Sequence, residues 1–184
     1  MIPTLRLLVS LLIVPAIAHA QSANTDEARE LAQRLVDQGA ARLDAQNYAE
    51  LVATYAEDST ITLVCKDPDT GDYMTEVRSI KKNGRWNIQQ LYRDLQQGLP
   101  PENGPKKIAS KNTVEYASMI EPDLLVIHGY FQPYRDEAMR WPLIQVRRKH
   151  GDDWLIMSQR IFLKGKRAVL WSRIQVQNKT RKVD

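Results

Sequence analysis

The chain has 184 residues, 43% of them hydrophobic and 26% charged, with a formal net charge of +4. That composition fits one soluble globular domain and excludes a disordered, collagen-like or multi-spanning chain. One cysteine excludes an internal disulfide framework and multi-cysteine metal motifs, and three histidines are too few for a histidine-rich metal site.

Residues 1–20 read as a secretory signal peptide. Arg6 supplies the positive start, Leu7 to Ile17 an apolar run, and Ala18-His19-Ala20 a small-x-small cleavage pattern. The run is shorter than the roughly 20 residues a membrane span needs, and Pro15 interrupts it, so a retained anchor fits less well. The expectation is an exported protein, periplasmic or secreted, that starts at Gln21 and makes no stable membrane insertion. Its weak positive charge is no argument for nucleic acid, an improbable partner for an exported chain. Cys65 is then either a buried apolar residue or the site of a cross-chain bond, and cysteine's usual burial favours the first.

The first mature segment is predicted to be helical. Asn24 with Glu27 forms a capping box, and Ala28, Leu31, Ala32, Leu35, Val36 and Leu43 recur at three- and four-residue steps. Asp44 to Asn47 breaks the pattern, and a second short helix carries Tyr48, Leu51, Val52 and Tyr55 on one side until Glu57-Asp58-Ser59 ends it. Thr60 to Val64 is β-branched and alternating, a strand; Lys66 to Gly71 is a turn, and Tyr73 to Val77 returns as a second strand. Asn83-Gly84 opens a third helix bearing Trp86, Ile88, Leu91, Tyr92 and Leu95, which stops before Gly98-Leu99-Pro100-Pro101. After the Pro100–Pro105 loop the chain is strand-dominated: Ile108 to Ile120, Leu124 to Gln132, and a hairpin of Trp141–Lys149 with Trp154–Leu163. The fold class is α+β, a cone-shaped, curved, mostly antiparallel sheet with three N-terminal helices packed on its concave face. Residues 21–163 make one domain, and 164–184 a basic C-terminal extension.

Several of these segments carry a resemblance. Tyr55-Ala56-Glu57-Asp58-Ser59-Thr60-Ile61 resembles the helix-to-strand junction of the nuclear transport factor 2-like superfamily, which includes SnoaL-like cyclases and ketosteroid isomerases. Asn83 to Tyr92 is similar to its glycine-opened third helix, and Leu125 to Phe131, Gln145 to Arg148 and Trp154 to Ile156 are similar to its closing strands. The resemblance spans roughly residues 26–163 in order. It implies a cone-shaped α+β barrel with a pocket, often dimerised through its sheet, and no single chemistry. In the isomerase branch the catalytic carboxylate lies eight residues after the matching tyrosine. Leu63 stands there in this chain and takes no proton, so that mechanism does not carry over.

Strand alternation nominates the binding residues. With Trp154 and Ile156 facing the helices, Ser158, Arg160 and Phe162 share that face. Arg160 is then either an anion anchor at the base of the cone or the partner of Asp58 or Glu57. Tyr48, Tyr55, Trp86 and Tyr92 come from helical faces that look into the cone, and Tyr116 joins them from the long strand; core packing is the plainer reading of all five. His128 shares a face with Val126 and Tyr130, opposite the more apolar Leu125, Ile127, Gly129 and Phe131, and is expected outside. No G-x-S-x-G, phosphate-cradling glycine loop or H-E-x-x-H occurs, so no metal or other cofactor is implied.

Two functions remain open at this level. The first is a small organic ligand held in an apolar pocket by Tyr48, Tyr55, Asp58, Trp86, Tyr92, Tyr116, Ser158 and Arg160, with acid-base chemistry if a tyrosine or a carboxylate near Asp58 serves. The second is an interaction module with a filled pocket, acting through its basic tail and an outer face bearing His128, Tyr130, Ile144 and Val146.

Overall fold

The protein is described by a computed structural model covering residues 7–67, 70–84, 87–97, 110–132 and 140–163, with side chains from residue 26 onward except 94–97. Three helices, α1 (Leu7–Asp44), α2 (Tyr48–Val52) and α3 (Ile88–Gln97), accompany six strands: β1 (Tyr55–Lys66), β2 (Tyr73–Ser79), β3 (Lys111–Glu121), β4 (Leu124–Gln132), β5 (Trp141–His150) and β6 (Asp153–Leu163). The strands form one sheet in the order β2-β1-β6-β5-β4-β3. Every pairing is antiparallel except β1 with β6. β2 and β3 are its two edges, so among the described residues the curved sheet stays open and does not close into a barrel.

α1 lies against the β3–β4 end of the concave face. Ala28, Ala32 and Val36 pack on Val114, Ala117, Leu125 and Ile127, the small helix residues letting the backbones approach. Gln33 spans the exposed ladder of edge strand β3, accepting from Val114 N (2.9 Å) and donating to Asn112 O (3.1 Å). That contact protects an edge that could otherwise recruit another strand. α1 ends where Gln46 turns to φ 59°, and Asp44 there accepts from both the backbone and the hydroxyl of Ser110. In the full chain α1 runs through Asn24, which therefore does not start it. The candidate signal residues and residues 164–184 have no described side chains.

α2 is shorter than its sequence pattern suggests. It stops at Val52 because Thr54 O accepts from Ile156 N (2.8 Å), so pairing with β6 begins just before Tyr55 and captures that residue for β1. α3 starts at Ile88 rather than Gly84, with Asn87 accepting from Gln89 N (2.8 Å). Ile88, Leu91 and Tyr92 pack from α3 onto Leu51, Tyr55, Ile61, Leu63, Leu143 and Ile161, the main core. Cys65 belongs to that core, and burial, followed by Glu76 and Asp67, pushes its thiol pKa up, away from nucleophilic use.

Four irregularities interrupt the sheet's pairing, one of them beside the β3–β4 turn, where Ile120 is skipped between Met119↔Leu125 and Glu121↔Leu124. Between Tyr55↔Ile156 and Thr60↔Ser158, β1 carries more residues than β6. Between Val146↔Ser158 and Arg147↔Ile156, Met157 is left without a partner on β5. Between Val114↔Gly129 and Tyr116↔His128, Glu115 is the extra residue. An unpaired residue reverses the alternation beyond it and sharpens strand bending. Gly129 fits beside the last bulge because a Cβ there would collide with the Thr113 carbonyl.

Candidate functional site

The bulge at Met157 decides which side chains enter the cone. Trp154 and Ile156 do face the helices, but beyond Met157 the inward positions are Gln159, Ile161 and Leu163. Arg160 is exposed on the outer face and Ser158 shares that face, which corrects their expected place in the cone. The bulge at Glu115 acts likewise on β3. Val114 and Ala117 face inward, while Tyr116 is 51% exposed and meets His128 edge-on on the outer face. His128 is outside, as its strand neighbours predict. Asp58 is exposed within the irregular part of β1, so it is also corrected out of the site. Tyr48 is half-buried at the core's margin beneath Arg93, outside the cavity wall. Trp86 lies outside the described residues.

Tyr55 and Tyr92 do reach a common cavity, of about 580 Å³ counting its open mouth. Its wall comes from α1 (Gly39, Arg42 and Leu43 among others), from Leu51 and Phe131, and from the inner face of β5 and β6. The polar end is made by three residues that sequence reasoning did not nominate: Gln145, Arg147 and Gln159. A signal for two of them was present. Placing Ile144 and Val146 outside puts Gln145 and Arg147 inside by strict alternation. Over residues 144–147, though, the outward residues are the more apolar ones, which masks the inward face.

These groups form one directed chain. Arg147 Nε donates to Gln145 Oε1 (2.6 Å), so the Gln145 amide nitrogen donates onward to Gln159 Oε1 (2.8 Å). Tyr55 Oη donates to the same oxygen (2.9 Å). With the Tyr55 proton used there, the hydrogen in the close Tyr55–Tyr92 contact comes from Tyr92. Both phenolic protons therefore point into the protein. Burial raises the pKa of both tyrosines, that of Tyr55 well above its ordinary 10, so the pair is neutral at neutral pH.

Arg147 is 3% exposed. Its Nη1 donates to Trp154 O (3.1 Å), and among the described residues the guanidinium has no carboxylate partner. Burial lowers its pKa to about 10, opposed by Tyr55 and Tyr92, and it still carries its charge at neutral pH. A buried charge without a counter-charge costs several kcal/mol. The cavity thus presents hydrogen-bond donors on a fixed cation above an apolar wall, and among the described residues no histidine or carboxylate lines it to accept a proton. Among the described residues no His, Cys, Asp and Glu side chains converge as a metal site.

No family model and no curated protein matches the chain. Similar solved structures include an NTF-2 like protein of unknown function from Silicibacter pomeroyi DSS-3, at 13% identity and TM-score 0.48, covering 73% of this chain and 96% of its own. Another is an NTF-2 like protein of unknown function from Shewanella oneidensis MR-1, at 14% identity and TM-score 0.43, covering 70% and 93%. A protein of unknown function with a cystatin-like fold from Nostoc punctiforme PCC 73102 matches at 14% identity and TM-score 0.48, covering 72% and 88%. The neighbours thus include proteins of the superfamily whose motifs the sequence resembles. At these identities and scores no residue role follows from the likeness.

Proposed function

We propose that this protein is an exported binding module whose cavity holds a small organic acid with an apolar body. The single observation that carries the reading is Arg147, a buried guanidinium whose neighbour on the same strand face is a neutral glutamine. A ligand carboxylate is the missing counter-charge, and charge-assisted bonds to a planar guanidinium are the strong ones. The tyrosines and glutamines hold that cation in place. Binding fits better than acid-base catalysis, because the phenols are neutral with their protons engaged and, among the described residues, no histidine or carboxylate faces the cavity. An open cavity also favours a ligand over the interaction module with a filled core.

The test is a thermal-shift screen of the full chain against apolar carboxylic acids. Ligands that bind only the folded state raise its stability, by about 2.7 kcal/mol at a hundred times Kd. The expected outcome is a stabilising acid whose effect disappears in Arg147→Met, with the variant's circular dichroism unchanged. A library without a single stabilising acid, or a hit that survives Arg147→Met, refutes the reading.

A further inference from the structure

Among the described residues, besides Arg147 and the two neutral tyrosines, the cavity wall holds one more ionisable residue, Arg42, and no acid. The two guanidiniums lie at different depths. Arg147 is buried, whereas the Arg42 side chain, on the last turn of α1, is one-third exposed (33%). One helical turn earlier stands Gly39, and a Cβ there would meet nothing within 4 Å, so the wall beside Arg42 is open. The ion-pair partner of Arg42 among the described residues is Glu50, at 3.9 Å and itself 67% exposed. A contact that long and that wet contributes little and is readily exchanged. The two cations also repel: Arg42 is among the groups that lower the proton affinity of Arg147. Most of the remaining wall is apolar, with Leu43, Leu143, Ile156 and Ile161 among its residues.

We propose that the cavity selects an elongated diacid, with one carboxylate on Arg147, the apolar chain along the cavity wall, and the second carboxylate on Arg42 at the mouth in place of Glu50. This rests on the reading above and deepens it by giving the ligand a second anionic group and Arg42 the role of specificity residue. A single carboxylate leaves one of the two cations without a counter-charge, whereas a diacid answers both.

The probe is a homologous series of straight-chain monoacids and the α,ω-diacids of the same lengths, titrated calorimetrically into the full chain. The expected result is a diacid of one favoured length that binds about tenfold tighter than its matched monoacid, the worth of one further charge-assisted contact. Arg42→Gln erases that preference, and Glu50→Gln, which removes the competing carboxylate, enlarges it. Equal binding of matched mono- and diacids throughout the series, or a preference that survives Arg42→Gln, overturns the proposal while acid binding at Arg147 stands. Loss of the preference in Arg147→Lys with acid binding retained supports two-point recognition. If no acid of either series binds, the reading of the cavity and this deepening of it fall together.

Discussion

Two strands of this sheet present the same local device with one atom-level difference. On edge strand β2, Glu76 and Arg78 are two residues apart, both buried, and the carboxylate meets the guanidinium directly. On β5, Gln145 and Arg147 have the same spacing and are also buried, and an amide stands where the carboxylate was. Residues two apart on a strand share a face, so each arginine is served by its own strand. On β2 the charge is answered within the protein. On β5 the amide orients the guanidinium, and among the described residues no carboxylate answers its charge. Function is read here from the partner that is neutral.

The comparison is broken most severely at β2. Glu76→Gln takes the carboxylate from a buried guanidinium and is expected to destabilise the protein by about 3 kcal/mol, measured by urea unfolding. The converse change, Gln145→Glu, turns the β5 pair into the β2 pair. An internal carboxylate then competes for Arg147, and affinity for any acid falls about thirtyfold, close to 2 kcal/mol, by calorimetric titration.

A smaller effect comes from the tyrosines that anchor the chain. Tyr55→Phe removes two buried hydrogen bonds, to Gln159 and from Tyr92, at a cost of about 1–2 kcal/mol. It also alters the alkaline limb of stability. The folded state keeps the Tyr55 and Tyr92 protons above pH 10, where the unfolded chain releases them, so this contribution is complete below that pH and is lost as the pH rises through the higher folded values. Arg147 opposes it: with a folded pKa of about 10, below the ordinary arginine value, it favours folding more as the pH rises beyond that point. Unfolding measured from neutral pH to above pH 10 is expected to show a shallower alkaline decline in Tyr55→Phe than in the parent. The smallest effect is assigned to the third arginine. Arg160→Ala, on the exposed face, should change stability by no more than about 0.5 kcal/mol and leave acid binding intact.

Much of the architecture was legible from periodicity. The spacing of Ala28, Ala32 and Val36 marks the buried stripe of α1, and the contrast of Ile127 with His128 places β4 correctly. The candidate site was legible only in its chemistry, an arginine with tyrosines in a cone. Its membership was not, because alternation counts every residue and a bulge inserts one that the ladder skips. Met157 turned Ser158 and Arg160 outward, and Glu115 did the same to Tyr116. Tyr55 reached the cavity from a strand rather than from the helix its pattern suggested, since pairing with β6 overrides a weak local preference. Gln145 and Arg147 stood in plain alternation, hidden because the outward residues Ile144 and Val146 look like the core.

The skipped residue in β6 also bears on how this protein can change through descent. Gaining one residue on β5 opposite Met157 would close the bulge, and β6, alternating strictly from Ile156, would bring Arg160 inward and expel Gln159, the oxygen on which Tyr55 and Gln145 converge. Losing Met157 itself would straighten the strand and leave Gln159 inward, since Ile156 and Ser158 already pair with successive residues of β5. A one-residue insertion could therefore rewrite the chemistry of the interior in a single event, with no side chain replaced, and relatives that differ there by one residue should be compared by register before they are compared by letter.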